Sequence, residues 1–512
     1  MAWWRSIGRP SFEHPSRVRA SSAQSHAETP FETDGRLARS RGSVAICRHR
    51  NNRKRPTVPC KETLAVLKAS RPSRISGRQV VNKPDPFGDD VINLDRRALL
   101  AGLGAAALSQ PAWATPRPGL AVPGVPAAPA EHVGMSAARL KAIDAMMNDF
   151  IARKKIPGAV TAIARHNRLV QFQAYGQSDP SAGVAMRLDS TFPMMSSTKP
   201  VTAVALLQQI DAGRVRLDDP ISKFIPELKT FRGVVKAGVA PPAWGSDYTD
   251  DQLEPQMREI TIKDLATHTS GLNAFPRREP GETLGEAVPR FSDLVLAFQP
   301  GSRWGYSPLT GADVLARVVE ITSGQSYDLY LQDHIFDPVG MTDTTYVPMD
   351  EQRSRQAKLF KPGGEGWVPM GFAGFNGEPS PYKPGGFGLI STARDYLLFQ
   401  TMLLNEGAIH GRRILSREAV ALMHSNLIGN LYSGFDGDEQ GLGFGVLVQI
   451  VLDSAKAVKL PRANGAYGWQ GAFGTMTWTD PALDVAATLM MSFPDADVQR
   501  EFQLAVRSAV VD

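Results

Sequence analysis

Cysteine is nearly absent: the 512-residue chain has two, Cys47 and Cys60, both ahead of the arginine pair Arg96-Arg97. A chain starting after that pair has no material for a disulfide, a thiol nucleophile or a cysteine-based metal site. Long apolar runs are scarce as well. The stretch from Ala98 to Leu108 falls short of the roughly twenty apolar residues that a helical span requires, and nothing later reaches that length, so no transmembrane segment is expected. Three catalytic signatures are also missing: the G-x-S-x-G elbow, the H-E-x-x-H zinc helix and the glycine-rich phosphate loop. No two histidines have the spacing of metal ligands, and Gly441-Leu442-Gly443-Phe444-Gly445 spaces its glycines wrongly for a dinucleotide site. Neither a metal nor any other cofactor is therefore expected.

Positive charge is in excess over only part of the chain. The formal net charge is +6 and the isoelectric point is near 9.2. Residues 1–97 carry 20 of the 57 Lys and Arg but only 9 of the 51 Asp and Glu, a surplus of 11, which leaves −5 for residues 98–512. The body is mildly acidic, so a nucleic-acid partner loses its only support.

Residues 1–95 are rich in Arg, Ser and Pro with few apolar runs, the composition of a disordered basic leader. Arg96-Arg97, the short apolar run to Leu108 and the small-x-small triplet Ala112-Trp113-Ala114 follow in the order of a twin-arginine export signal. This assigns 96–114 to a signal peptide and the mature protein to the periplasm or the outside of the cell. A signal belongs at an N-terminus. Residues 1–95 are accordingly read either as an extension upstream of a true start near residue 91 or as a long basic pre-segment. Pro116, Pro118, Pro123, Pro126 and Pro129 describe an extended linker over 115–134, and the folded body is expected over 135–512.

The stretch that organises this body is Met194-Met195-Ser196-Ser197-Thr198-Lys199-Pro200-Val201. Residues three apart on a helix share a face, so the Lys199 amine can lie beside the Ser196 hydroxyl that it must help deprotonate. A helix start also offers free N–H groups and a positive dipole end, which favour an oxyanion beside the serine. Pro200 is compatible with this only in the first turn. Val201, Ala203, Val204, Leu206, Leu207 and Ile210 make apolar rows on more than one side and predict a buried helix. The same S-x-x-K spacing recurs at Ser380-Pro381-Tyr382-Lys383. There Pro381 and Pro384-Gly385-Gly386 forbid a helix and remove the reason for the two side chains to meet.

Ser136 reads as the cap of a helix with Leu140, Ile143, Met147, Phe150 and Ile151 at helical spacing. Ala159–Arg165 and Leu169–Tyr175, joined by His166-Asn167-Arg168, read as a hairpin. The far end mirrors this, with strands over 475–479 and 485–491 and a last helix carrying Val498, Phe502, Ala505 and Ala509. An α/β fold is expected: an antiparallel sheet flanked by the terminal helices, a mainly helical insertion over about residues 196 to 450, and a cleft between them.

Ile260-Thr261-Ile262-Lys263-Asp264-Leu265-Ala266-Thr267-His268-Thr269-Ser270-Gly271-Leu272 resembles the signature loop of the serine β-lactamase-like superfamily. That superfamily includes class C β-lactamases, D-Ala-D-Ala carboxypeptidases and family VIII carboxylesterases. Gly213-Arg214-Val215-Arg216-Leu217-Asp218-Asp219-Pro220, Ile335-Phe336-Asp337-Pro338-Val339-Gly340-Met341 and Gly385-Gly386-Phe387-Gly388-Leu389 are similar to its recurring segments, in the same order.

The resemblance implies Ser196 as nucleophile with Lys199 as its partner. Tyr306, in Pro300-Gly301-Ser302-Arg303-Trp304-Gly305-Tyr306-Ser307-Pro308, takes the place of the Tyr-x-Asn tyrosine, as general base or as half of a Tyr–Lys pair whose desolvated lysine favours its neutral form. Pro308 departs from the asparagine expected there and supplies no side-chain donor. Trp469-Gln470-Gly471 resembles the Trp-x-Gly of the esterase branch, where an indole replaces the cation that would bind a substrate carboxylate. The N–H groups of Ser196 and Ala472 would then form the oxyanion hole, and His268 is read as structural.

These residues favour an exported serine hydrolase that cleaves neutral small-molecule esters through an acyl-serine. A β-lactamase or D-Ala-D-Ala carboxypeptidase is the alternative, supported by the scaffold and the export address. An acyltransferase to an acceptor other than water remains open. A non-catalytic binding protein is argued against by the joint presence of Ser196, Lys199 and Tyr306.

Overall fold

The computed structural model describes residues 122–511 except 241–246, 275–277, 365 and 372–378. The leader 1–95, the export signal 96–114 and the first residues of the linker lie outside the described residues.

Helix α1 (Ala137–Ala152) opens at Ser136, whose hydroxyl accepts from Arg139 N at 3.3 Å, and buries Leu140, Ile143, Met147 and Phe150. Strands β1 (Gly158–Arg165) and β2 (Arg168–Asp179) pair antiparallel around His166 and Asn167, which both have positive φ, 50° and 58°. Two such residues form the primed turn whose twist suits a tight hairpin. Six shorter strands complete one sheet: β3 (Val184–Ala185), β4 (Leu442–Phe444), β5 (Gln449–Val451), β6 (Tyr467–Gln470), β7 (Met476–Asp480) and β8 (Val485–Met491). Their order is β4-β5-β6-β7-β8-β1-β2-β3, every neighbour antiparallel. Ala159 faces Met491 and Arg165 faces Val485, so the two ends of the folded chain meet in the middle of the sheet.

Four further helices follow: α2 (Lys199–Asp211), α3 (Thr310–Ser323), α4 (Ala393–Leu404) and α5 (Ala496–Ala509). Successive strand residues point to opposite faces. Ala159, Ile163, Trp478 and Leu489 pack under α1 and α5, while Val160, Ala162, Ala164, Ala486 and Met490 join the core built by α2, α3 and α4. Both faces are covered, which is why every residue of β1 and β8 is buried, Thr161, Arg165 and Thr488 included. Among the described residues no helix is long and apolar enough to cross a membrane.

One boundary is corrected. The linker expected over 115–134 is not free along its length: Val122 is 3% and Val125 1% exposed, Ala127 bridges to Leu169, and Ala130–Val133 forms a 3-10 turn. Pro126 and Pro129 flank the bridging Ala127, and Val122 and Val125 bury against the body, which therefore begins by residue 122 rather than 135.

The signature loop is held by one carboxylate. Asp264 takes both donors of the Arg258 guanidinium at 2.6 and 2.8 Å, and bonds from Thr261 N at 2.9 Å, Thr261 Oγ1 at 2.8 Å and Thr269 Oγ1 at 3.3 Å. Burial alone would raise the pKa of this carboxyl, but Arg258 and Thr261 outweigh it and hold it below the ordinary value. The resulting stabilisation is present above the ordinary carboxyl pKa and is lost as pH falls through the depressed value. Asp264→Ala is expected to lower unfolding stability by about 3 kcal/mol, since charge-assisted bonds contribute roughly 1.5–3 kcal/mol apiece and Arg258 is left unpaired. A urea midpoint unchanged from wild type would refute this.

Candidate active site

Ser196 lies in the 3-10 turn Met195–Thr198 that runs directly into α2, with Pro200 in the first helical turn. Met195 has φ 47°, a left-handed conformation that is uncommon and costly for a side chain of this kind. The neighbourhood imposes it. Met194 N donates to Leu389 O at 2.8 Å, Met194 O accepts from Ser197 N at 3.0 Å and Thr475 Oγ1 at 3.1 Å, and Tyr396 OH donates to Ser197 O.

Lys199 is fully buried, and its Nζ donates to Pro308 O at 2.7 Å, Gly386 O at 2.9 Å and Ser196 Oγ at 3.3 Å. Three oxygens for three N–H donors match an ammonium. Tyr306 OH donates to the same Ser196 Oγ at 2.7 Å, and its ring centre is 5.1 Å from Lys199 Nζ. Ser196, Lys199 and Tyr306 are thus brought together. Pro308 joins them through its carbonyl, which any residue could supply.

Tyr306 is positioned by the signature loop. Gly305 N donates to His268 O at 2.9 Å and Ser307 N to His268 Nδ1 at 3.4 Å, with the imidazole 5.0 Å from the Tyr306 ring. Burial, and then the Lys199 charge, keep the His268 pKa well below its ordinary value. The ring is a neutral support, in line with the structural role expected for it.

In the third motif Trp469 is buried at the end of β6, with its ring 5.6 Å from Tyr306. Gly471 N donates to Thr475 O at 2.7 Å. A Cβ on Gly471 would lie 2.2 Å from Thr475 Oγ1 and 2.3 Å from Met194 O, so glycine is what lets this hairpin touch the serine turn. Ala472 packs in one cluster with Met195, and its N–H makes no hydrogen bond among the described residues.

Sequence reasoning missed an aromatic wall. Trp304 stacks on Tyr306 at 6.2 Å, Tyr432 lies 4.7 Å from Trp304, and Phe444 lies 5.4 Å from Trp469. Phe435 lies 5.1 Å from Tyr306 and 5.2 Å from Trp469 while remaining 45% exposed. Trp304 stood in the tyrosine motif and was legible there, but the loop carrying Tyr432 and Phe435 has no local pattern to signal it.

The competing pair does not form: Ser380 Oγ accepts from Tyr382 N at 3.2 Å, while Lys383 Nζ donates to the Ser380 carbonyl at 2.6 Å. Arg462 is buried against Trp478 and donates to Gln503, within the α5 side of the sheet. Among the described residues no three His, Cys, Asp or Glu side chains converge to hold a metal ion.

This geometry agrees with the chain's relatives. Residues 143–509 match the family described as Beta-lactamase, and the chain belongs to that family. It is a serine hydrolase of the β-lactamase-related superfamily, whose members similar to it include esterases, an acyltransferase, a penicillin-binding protein and a D-alanyl-D-alanine carboxypeptidase. An uncharacterized protein of Mycobacterium tuberculosis is 34% identical over 371 residues, 67% of this chain and 88% of that one. Esterase EstB of Burkholderia gladioli is 28% identical over 409 residues, 73% of this chain and 96% of the esterase. In fold, EstCE1, a hydrolase with promiscuous acyltransferase activity, matches with TM-score 0.59 and 22% identity over 73% of this chain and 99% of its own.

The close approach at Gly471 yields a test. Gly471→Ala is expected to lower kcat/KM by about tenfold or more, since a misplacement of ~1 Å near reacting groups can cost on the order of a hundredfold. Wild-type kinetics in that variant would show that the hairpin and the serine turn need not touch.

Proposed function

We propose that the protein hydrolyses neutral carboxylic esters through an acyl intermediate on Ser196. The observation that carries this is the convergence of Tyr306 OH and Lys199 Nζ on one oxygen, Ser196 Oγ, at 2.7 and 3.3 Å.

Attack requires Tyr306 as the phenolate beside the Lys199 ammonium: Ser196 Oγ attacks the ester carbonyl as its proton passes to that phenolate oxygen. The buried Lys199 ammonium stabilises negative charge on the serine and tyrosine oxygens throughout. The N–H groups of Ser196 and Ala472 receive the carbonyl oxygen as it becomes an oxyanion. Tyr306 then returns the proton to the leaving alkoxide, which departs as an alcohol. Water attacks the acyl-serine by the same path with Tyr306 as base, releasing the carboxylic acid and restoring the serine.

Substrate class follows from what stands beside the serine. Anionic substrates gain from a fixed cation opposite their carboxylate, and the resemblance puts Trp469 at that position. Lys383 and Arg462 are engaged elsewhere. The wall of Trp304, Tyr306, Phe435 and Trp469 suits an uncharged, apolar or aromatic group. Acyl transfer to an alcohol in place of water is a second reading, favoured by the exposed Phe435 ring, which can hold an apolar acceptor and exclude solvent.

Ser196→Ala is expected to abolish turnover of p-nitrophenyl esters, and a phosphonate should add mass at Ser196. Neutral short-chain esters should exceed a chromogenic cephalosporin in kcat/KM by at least about a hundredfold, the two decades in rate that a missing charge-assisted bond can cost. Labelling at Ser380 would remove the nucleophile assignment, and a preference for the cephalosporin would remove the esterase reading.

Phe435→Ala tests the wall. KM for an aromatic acyl ester is expected to rise about threefold or more while kcat for an acetyl ester stays near wild type, matching an aromatic contact of ~0.5–1.5 kcal/mol. Equal effects on both esters would place Phe435 outside the substrate contact.

A further inference from the structure

One buried carboxylate beside the site has no part in the reaction above. Asp313, in the first turn of α3, is 1% exposed. Its Oδ2 accepts from Tyr382 OH at 2.7 Å, and its Oδ1 accepts from Gly385 N at 2.9 Å and Gly386 N at 3.4 Å. On the far side of the second glycine, the Gly386 carbonyl accepts from Lys199 Nζ at 2.9 Å. One residue's backbone therefore separates a buried carboxylate from the buried ammonium.

The glycine pair has little room to settle elsewhere. A Cβ on Gly385 would lie 2.2 Å from Ala312 O, and one on Gly386 would lie 2.8 Å from Pro308 O and 3.2 Å from Lys199 Nζ. Thr202 Oγ1, one turn along α2 from Lys199, donates to Gly385 O at 2.5 Å. The segment is thus held between α2 and α3, with Asp313 gripping its N–H groups.

We propose that Asp313 is a positioning residue, whose carboxylate fixes the Gly385-Gly386 backbone so that the Gly386 carbonyl holds the Lys199 ammonium against Ser196. The proposal rests on the reading of Ser196 and Lys199 as reacting groups. Tyr382 shares the task by fixing the other carboxylate oxygen, and the Arg278 guanidinium covers the Tyr382 ring at 4.7 Å.

The charge on Asp313 supplies a readout that a merely structural role would not move. The groups facing it are Lys199 from α2, Arg278 and Tyr382 from the flanking loops, and Tyr327 and Tyr346. Burial pushes the Asp313 carboxyl up to about 6, against the lowering effects of Tyr382, Arg278 and Lys199. The carboxylate is present above that value and is lost as pH falls through it, weakening the grip on the glycines. His268 does not titrate there, since burial and Lys199 keep its pKa well below the ordinary value.

The test uses the full chain and a p-nitrophenyl ester on both sides of about pH 6. Wild type is expected to lose kcat on the acid side. Asp313→Asn should lower kcat by about tenfold or more with KM within about twofold, slow phosphonate labelling of Ser196 in parallel, and flatten the acid limb. Tyr382→Phe, which removes only one donor, should move the limb to higher pH. A wild-type kcat in Asp313→Asn, or a slowed variant with its acid limb intact, would overturn the proposal. Should Asp313→Asn fail to fold, an unmoved limb in Tyr382→Phe would overturn it equally. Ser196→Ala is measured alongside: activity there defeats the nucleophile reading and the proposal with it, whereas a dead Ser196→Ala with an unmoved limb defeats the Asp313 proposal alone.

Discussion

A lysine ammonium with no exposure to water is the constraint to which the site conforms. Removing an ammonium from water costs several kcal/mol even after relaxation. Three bonds to it, at roughly 1.5–3 kcal/mol each, can offset that only if all are made. The oxygens come from the serine turn, from Pro308 at the entry to α3, and from Gly386 before α4. These segments are more than a hundred residues apart in sequence for Pro308 and nearly two hundred for Gly386. Displacing any one leaves a buried charge short of a partner, so the positions of α2, α3 and the glycine segment are coupled through Lys199. The same coupling accounts for the left-handed Met195: the turn must bring Ser196 Oγ to Nζ while Thr475 and Leu389 hold Met194 from either side.

How much of this was legible in the sequence depends on the distance over which each feature is specified. Ser196 and Lys199 are local: spacing on one helix places them together, and prolines around Ser380 and Lys383 keep the other pair apart. The strands 158–165 and 485–491 were legible because both faces of the sheet are covered and few polar residues interrupt their apolar runs. Tyr306 was not readable from its own surroundings. It needed the resemblance, because its position is set by His268, which meets it only through tertiary contact. The linker misled because proline content signals extended backbone, and extended backbone serves a free tether and a bridge to Leu169 equally well.

Asp313 and Phe435 show the limit from opposite directions. On an amphipathic helix an aspartate in the first turn reads as a solvent-side residue near the dipole, and only the packing of Tyr382 and two glycine N–H groups against it reveals a buried anion. Phe435 sits in a glycine-flanked loop where an aromatic reads as incidental. Its meaning comes from Tyr306 and Trp469, which approach from separate elements.

The departure at Pro308 separates machinery from selectivity. What Lys199 takes from that position is a backbone carbonyl, which every residue has, so the loss of a side-chain amide leaves the ammonium fully bonded. Trp469, which the resemblance puts where relatives carry a cation, is a buried ring that packs on Tyr306. With proline and tryptophan at these two positions, the three bonds to Lys199 and the Tyr306 bond to Ser196 are all made. On the proposed reading, the groups that hold the serine and those that would select a substrate lie on different residues, so selectivity can change on this scaffold without any change in how the serine is held.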